Sequence, residues 1–214
     1  MHASCLNMSN VCCDIDEMTK DPARQKALRL ALWAALLINM GMFIVEFAGG
    51  IIAGSNALLA DSADMISDAF VYGISIWVLA GDHHAKARVS LAKGIIMGIL
   101  GLFVLGETVY KILVPSLPDA GLIYVLGFVA LIANIITVLL LLRFRGDDLN
   151  VKSAWLCSRN DVLGNAAVIA GGFLVLYFGS MWPDIIVGVG IALVVLWSSI
   201  GIVRDSIPHI KHEH

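Results

Sequence analysis

Long apolar stretches alternate with short polar connectors along most of this chain. The hydropathy pattern predicts six spans at about 28–53, 57–80, 89–113, 119–142, 153–178 and 184–204. The connectors are brief and rich in turn residues: Gly54-Ser55-Asn56, Gly81 to Arg88, Pro115 to Pro118, Arg143 to Lys152 and Gly179 to Pro183. Runs of this length match the hydrocarbon thickness of a bilayer when helical. Lipid offers backbone amides no partners, so each run must satisfy its own as a helix. The expected fold is an all-α membrane protein with six transmembrane helices.

Composition agrees. Of 214 residues, 59% are hydrophobic and 14% charged, and the mean hydropathy is +0.86. That apolar surface exceeds what a soluble globule of this size can hide. A soluble enzyme and a disordered chain are excluded. The net charge of −3 and the scattered basic residues exclude nucleic acid as a partner. The N-terminal segment carries Asp14, Asp16, Glu17 and Asp21 before any apolar run, which does not fit a secretory signal.

The basic residues set an orientation. All Lys and Arg except Lys111 and Arg159 precede or open the first span, stand around the second or the fourth connector, or close or follow the sixth span. The positive-inside rule then predicts both termini in the cytoplasm. The expected division is a polar tail over 1–27, a membrane domain over 28–205 and a short tail over 206–214. Small-residue pairs four apart, Gly50/Gly54 and Gly94/Gly98, give a weak signal for close helix packing.

Carboxylates inside spans are expensive and call for a cavity, a cation or a proton. The second span holds Asp61, Asp64 and Asp68, and the fifth holds Cys157, Asp161 and Asn165. Asp64 and Asp68 are i and i+4, as are Cys157 and Asp161, so each pair shares one helix face. Two helices offering two donors each can build a four-ligand site from Asp64, Asp68, Cys157 and Asp161. Such a donor set suits a tetrahedral divalent transition metal, zinc first, rather than calcium or magnesium. An ion pair of the aspartates with Arg159, or a packing role, is the plainer alternative. For Cys157 alone, a small apolar residue is the plainer reading.

Several segments together resemble the cation diffusion facilitator family of divalent metal exporters, over about 27–206. GSNALLADSADMISDA is similar to that family's second-span signature, with Asp64 and Asp68 at its ligand positions. Leu156 to Gly164 is similar to the fifth-span signature, and Asn39, Glu46 and Trp182-Pro183-Asp184 also fit. The resemblance implies a proton-coupled antiporter, working as a homodimer in the cell (inner) membrane and moving metal out of the cytoplasm. It implies zinc, cadmium or cobalt as cargo, protons as counter-ion and no cofactor. Two departures stand out. Cys157 occupies a position that is usually His and sometimes Asp, and no segment resembling the family's soluble C-terminal domain follows the sixth span.

Other residues receive lesser readings. Cys5, Cys12 and Cys13 with His2 suit metal capture, or form an incidental thiol cluster in a tail. His209, His212 and His214 with Glu213, and the loop residues His83 and His84, are weaker candidates of the same kind. Glu46 is expected to line the cavity or relay protons. Asn39 and Asn134 are expected to hydrogen-bond between helices, and Glu107 is a further intramembrane acid. Arg159 is expected to pair with Asp61 or Glu46, or to snorkel. The rival functions are a membrane metalloenzyme, which would need an open coordination position and a nearby base, and a passive channel or metal sensor.

Overall fold

A computed structural model describes residues 22–79, 86–144 and 149–211; within the helices, the side chains of 78–79, 86–90, 149–154, 156–160 and 205–211 lie outside that description. The described chain forms six α-helices: α1 (Pro22–Ala53), α2 (Asn56–Leu79), α3 (Lys86–Leu113), α4 (Ala120–Leu142), α5 (Leu149–Phe178) and α6 (Trp182–Lys211). No strand occurs among the described residues. Each helix coincides with a predicted apolar run. α1 starts six residues earlier and α6 ends seven later, because polar turns bearing Arg24, Lys26 and Arg204 continue the helical hydrogen bonding beyond the apolar stretch.

Five of the six helices are long and apolar enough to cross a membrane by length and composition: α1, α3, α4, α5 and α6. The exception is α2, which at 24 residues is long enough but carries three aspartates. Its surroundings account for them. Among the described residues, α2 touches all five other helices. α3 pairs with α6 on one side, α1 and α5 flank α4 on the other, and α2 stands between. The outer faces are aliphatic and aromatic, with Leu30, Ile52, Leu113, Leu163, Tyr177 and Trp197 exposed. The chain is a multi-pass membrane protein in which lipid-facing helices enclose the polar one.

Close approach of α3 to α6 depends on glycine. A Cβ at Gly94 would lie 2.8 Å from a Val203 methyl, and one at Gly98 would lie 2.8 Å from the Ser199 hydroxyl. That hydroxyl donates to the Gly94 carbonyl at 2.7 Å. The weak small-residue signal at Gly94 and Gly98 therefore marks a real contact. Gly54 does different work: its φ of 60° makes the turn between α1 and α2, a conformation a side chain would strain.

That turn is locked from outside. The Asp184 carboxylate, in the first turn of α6, accepts from the Ser55 hydroxyl at 2.5 Å and from the backbone amides of Asn56 and Ala57 at 2.8 and 3.2 Å. It thus caps the N-terminus of α2 from another helix, where the helix dipole favours an anion. Lys111 of α3 completes the cluster with a buried ion pair to Asp184 at 2.9 Å and a hydrogen bond to the Gly54 carbonyl. The Asn56 amide donates to the Thr108 hydroxyl at 2.5 Å, and the Asp119 amide donates to the Ala53 carbonyl at 2.9 Å. A Cβ at Gly188 would lie 2.5 Å from the Asn56 carbonyl carbon, so α6 lies directly against the turn. At the other end of the bundle, which bears Arg24 and Arg143, the core is apolar: Leu28, Leu32, Tyr72, Ile76, Leu141 and Phe144 pack together.

Replacing Lys111 by Met should leave the Asp184 carboxylate buried without its cation. We expect a loss of about 3–5 kcal/mol, whereas Lys26→Met on an exposed turn should change stability by less than about 0.5 kcal/mol. Unfolding in detergent micelles measures both. Equal stability of the two variants would show that the pair does not hold the turn.

Candidate metal site

α2 reads NALLADSADMISDAFVYG through its first five turns, and the i, i+3, i+7 spacing of Asp61, Asp64 and Asp68 puts its acids on one face. Asp61 and Asp68 are buried, at 2% and 3% exposure, while Asp64 is half-buried. Asp161 is buried at 7%. It stands on α5 where the polar beginning of that helix gives way to its apolar half. Its carboxyl adjoins those of both Asp64 and Asp68 across the α2–α5 contact. Three of the four residues expected as ligands therefore neighbour one another, without forming a metal-holding group among the described residues. Cys157 lies one turn before Asp161 in α5, on the face that Asp161 shares, but its side chain is outside the described residues.

Two hydrogen bonds prepare the site. The Tyr72 hydroxyl, fully buried one turn beyond Asp68, donates to an Asp68 oxygen at 2.8 Å. The Asn165 amide nitrogen donates to the Asp161 carbonyl at 2.8 Å, which turns Asn165 towards the α5 backbone. One oxygen of Asp161 has no hydrogen-bond partner among the described residues. Among those residues no three His, Cys, Asp or Glu side chains already converge as a metal-holding group. The carboxyls adjoin without closing on a common point.

A second acidic pair lies one turn along α2. Glu46 of α1, fully buried, neighbours Asp61. Both Glu46 oxygens and one of Asp61 lack hydrogen-bond partners among the described residues. The other Asp61 oxygen faces α5, 3.8 Å from where a Cβ at Gly164 would stand. Buried carboxyl oxygens without partners are costly in the charged form, which suits groups that take up a proton or meet a cation.

Two sequence expectations need correction. The Asn39 amide donates to the Ala35 carbonyl of its own helix at 3.0 Å rather than across helices. A side-chain amide reaches the carbonyl four residues back more readily than a neighbouring helix. Both amide atoms of Asn134 are buried without a partner among the described residues. The tail thiols Cys5, Cys12 and Cys13 with His2, the loop residues His83 and His84, and His212, Glu213 and His214 fall outside the described residues, as do the side chains of Arg159 and His209. Sequence reasoning passed over the joint role of Asp184, Lys111, Ser55 and Thr108. It also passed over Tyr72, although Tyr72 stands at i+4 from Asp68 and so was open to the same spacing argument.

Known proteins are similar to this chain in sequence. The chain is 26% identical over 197 residues to the metal cation efflux system protein CzcD of Cupriavidus metallidurans, covering 83% of this chain and 62% of that protein. It is 26% identical over 202 residues to the cadmium, cobalt and zinc/H(+)-K(+) antiporter of Bacillus subtilis, covering 87% and 64%. It is 25% identical over 183 residues to the zinc transporter ZitB of Escherichia coli, covering 79% and 58%. The chain thus spans less than two thirds of the length of these relatives. Residues 32–210 match the family model of the cation efflux transmembrane domain. That family is one of transport domains and not of enzymes, and this chain, with its acidic helix enclosed by apolar ones, belongs to it.

Proposed function

We propose that this protein exports divalent transition metal ions from the cytoplasm in exchange for protons, through a site made by Asp64, Asp68, Cys157 and Asp161. The observation that carries this reading is the meeting of Asp161 with Asp64 and Asp68 inside a lipid-facing bundle. The names of the relatives support zinc, cadmium and cobalt as cargo. In this reading α2 also crosses the membrane, which makes six spans, both termini are cytoplasmic, and the working unit is a homodimer.

The chemistry follows from the donors. Metal and protons compete for the same oxygen and sulfur atoms, so a metal entering from the cytoplasm displaces any protons held there. After the bundle reorients, protons from the far side displace the metal. A protonated aspartate is neutral, which lets the emptied site return through a low-dielectric interior. Alternating access of this kind needs ligands shared between helices, and the proposed donors are divided between α2 and α5. Glu46 and Asp61 extend the acidic surface along α2 and are placed to pass protons. A passive channel would bind its ion weakly and in rings rather than in a four-donor cage.

Reconstitution in liposomes with an imposed pH gradient tests the function. Zinc, cadmium and cobalt should accumulate in proportion to the gradient. Flux that ignores the gradient would indicate a channel, and absence of flux would contradict transport.

Asp68→Ala and Asp161→Ala should each abolish gradient-driven zinc uptake, because each removes one of four donors and one proton acceptor. Wild-type uptake by either variant would remove that residue from the site. Tyr72→Phe, which deletes only the hydroxyl on Asp68, should weaken zinc binding about 10- to 100-fold, as loss of a ligand-orienting partner does. Unchanged affinity would mean that the hydroxyl serves packing alone.

Cys157 offers a finer test of ligand identity. A thiolate is softer than an imidazole and favours cadmium. Cys157→His should keep zinc transport and lower the cadmium-to-zinc ratio. A ratio equal to wild type would take Cys157 out of the ligand set.

A further inference from the structure

Among the described residues, two of the grooves on the lipid-facing surface of the bundle differ in chemistry. The first lies between α1 and α4 at the end bearing Arg24 and Arg143, and encloses about 380 Å³. Leu30 and Leu139 form its rims, both strongly exposed, while Ala31 and Phe144 form a buried floor. Ala34 leaves the space open because it has only a methyl group. The second, between α4 and α5, encloses about 410 Å³ and is lined by Ile135, Val138, Leu139, Val162 and Leu163, with no charged residue.

The mouth of the first groove is basic. The Arg143 guanidinium stacks over the Phe144 ring, 4.5 Å from its centre, which fixes the planar fork at the end of the groove. The Arg24 guanidinium donates to the Arg143 carbonyl at 3.4 Å, which puts Arg24 at the same end of the groove, beside its lining. An apolar slot that ends under two guanidinium groups has the form of a phospholipid turned outside in. The slot takes an acyl chain and the guanidinium groups take the phosphate, through paired charge-assisted hydrogen bonds. The position is that of a membrane interface, since Arg24 lies in the first turn of α1 and Arg143 follows the apolar span of α4. Basic pockets between transmembrane helices bind anionic headgroups in this way.

We propose that the α1–α4 groove is a binding site for an anionic phospholipid, such as phosphatidylglycerol, with its phosphate on Arg143 and Arg24. The α4–α5 groove, lacking a cation, takes acyl chains without regard to headgroup. The site also touches the interior. Ala31 and Phe144 belong to the same packed cluster as Tyr72, whose hydroxyl holds Asp68. The groove floor and the support of the acidic site are therefore one packed unit.

Native mass spectrometry of the purified full-length protein tests the proposal, with phosphatidylglycerol and phosphatidylcholine of identical acyl chains as probes. Wild type should bind phosphatidylglycerol about 30-fold more tightly, the size of effect expected from two interfacial arginines. The preference should disappear in Arg24→Gln/Arg143→Gln and persist in Arg204→Gln, an exposed arginine elsewhere on α6. Ala34→Phe fills the slot and leaves both cations, and should also remove the tightly bound lipid. Equal binding of the two lipids by wild type would overturn the proposal, as would a preference that survives the double arginine substitution. A preference that survives Ala34→Phe would overturn the groove as the seat of the acyl chain. Arg143→Gln alone alters an exposed side chain, keeps the fold and decides the headgroup contact if the filled variant does not fold.

Discussion

Three aspartates on one helix, Asp61, Asp64 and Asp68, cannot face hydrocarbon, and the rest of the bundle is arranged around that constraint. A lipid-exposed carboxylate costs several kcal/mol, so α2 has to be the enclosed helix. It is the one that contacts every other, and the helices around it carry the aliphatic surface. Enclosing an acidic helix brings its own requirement. Its start must be held in place without hydrocarbon packing alone, and Asp184 with Lys111 supplies this by capping the first α2 amides from α6 and α3. The ends of the bundle are therefore unlike. One is fastened by ionic and backbone hydrogen bonds, the other by the apolar cluster around Tyr72.

Between those ends the acids are graded along α2. Asp61 meets Glu46 of α1, and Asp64 and Asp68 meet Asp161 of α5. Adjacent buried carboxyls repel when all are ionised. The group is relieved by a divalent cation or by protons, and a site that can hold either but not both at once is what exchange requires. The Tyr72 hydroxyl, donating to Asp68, orients one of these carboxyls.

Much of this was legible from local periodicity. The apolar runs locate all six helices, though not the polar start of α1 or the polar end of α6, because a membrane span must be both helical and long. The i, i+4 spacing of Asp64 with Asp68 and of Cys157 with Asp161 places the donors on helix faces. What local spacing cannot supply is pairing between distant helices. Asp184 and Lys111 are 73 residues apart, and nothing near either one predicts the other. Asn39 misled for the opposite reason, since its partner turned out to be a carbonyl one turn back in its own helix. Gly94 and Gly98 lay between these cases, as their spacing was suggestive but only Ser199 and Val203 opposite make it a contact.

The central claim is that protons and metal share the carboxyls where α2 meets α5. Calorimetric titration of the detergent-solubilised protein with zinc, repeated in buffers of different protonation enthalpy, counts the protons released on binding. The account predicts that zinc binding releases protons, and that Asp161→Asn binds zinc more weakly and releases fewer. Zinc binding of equal affinity and equal proton release in both proteins would contradict it.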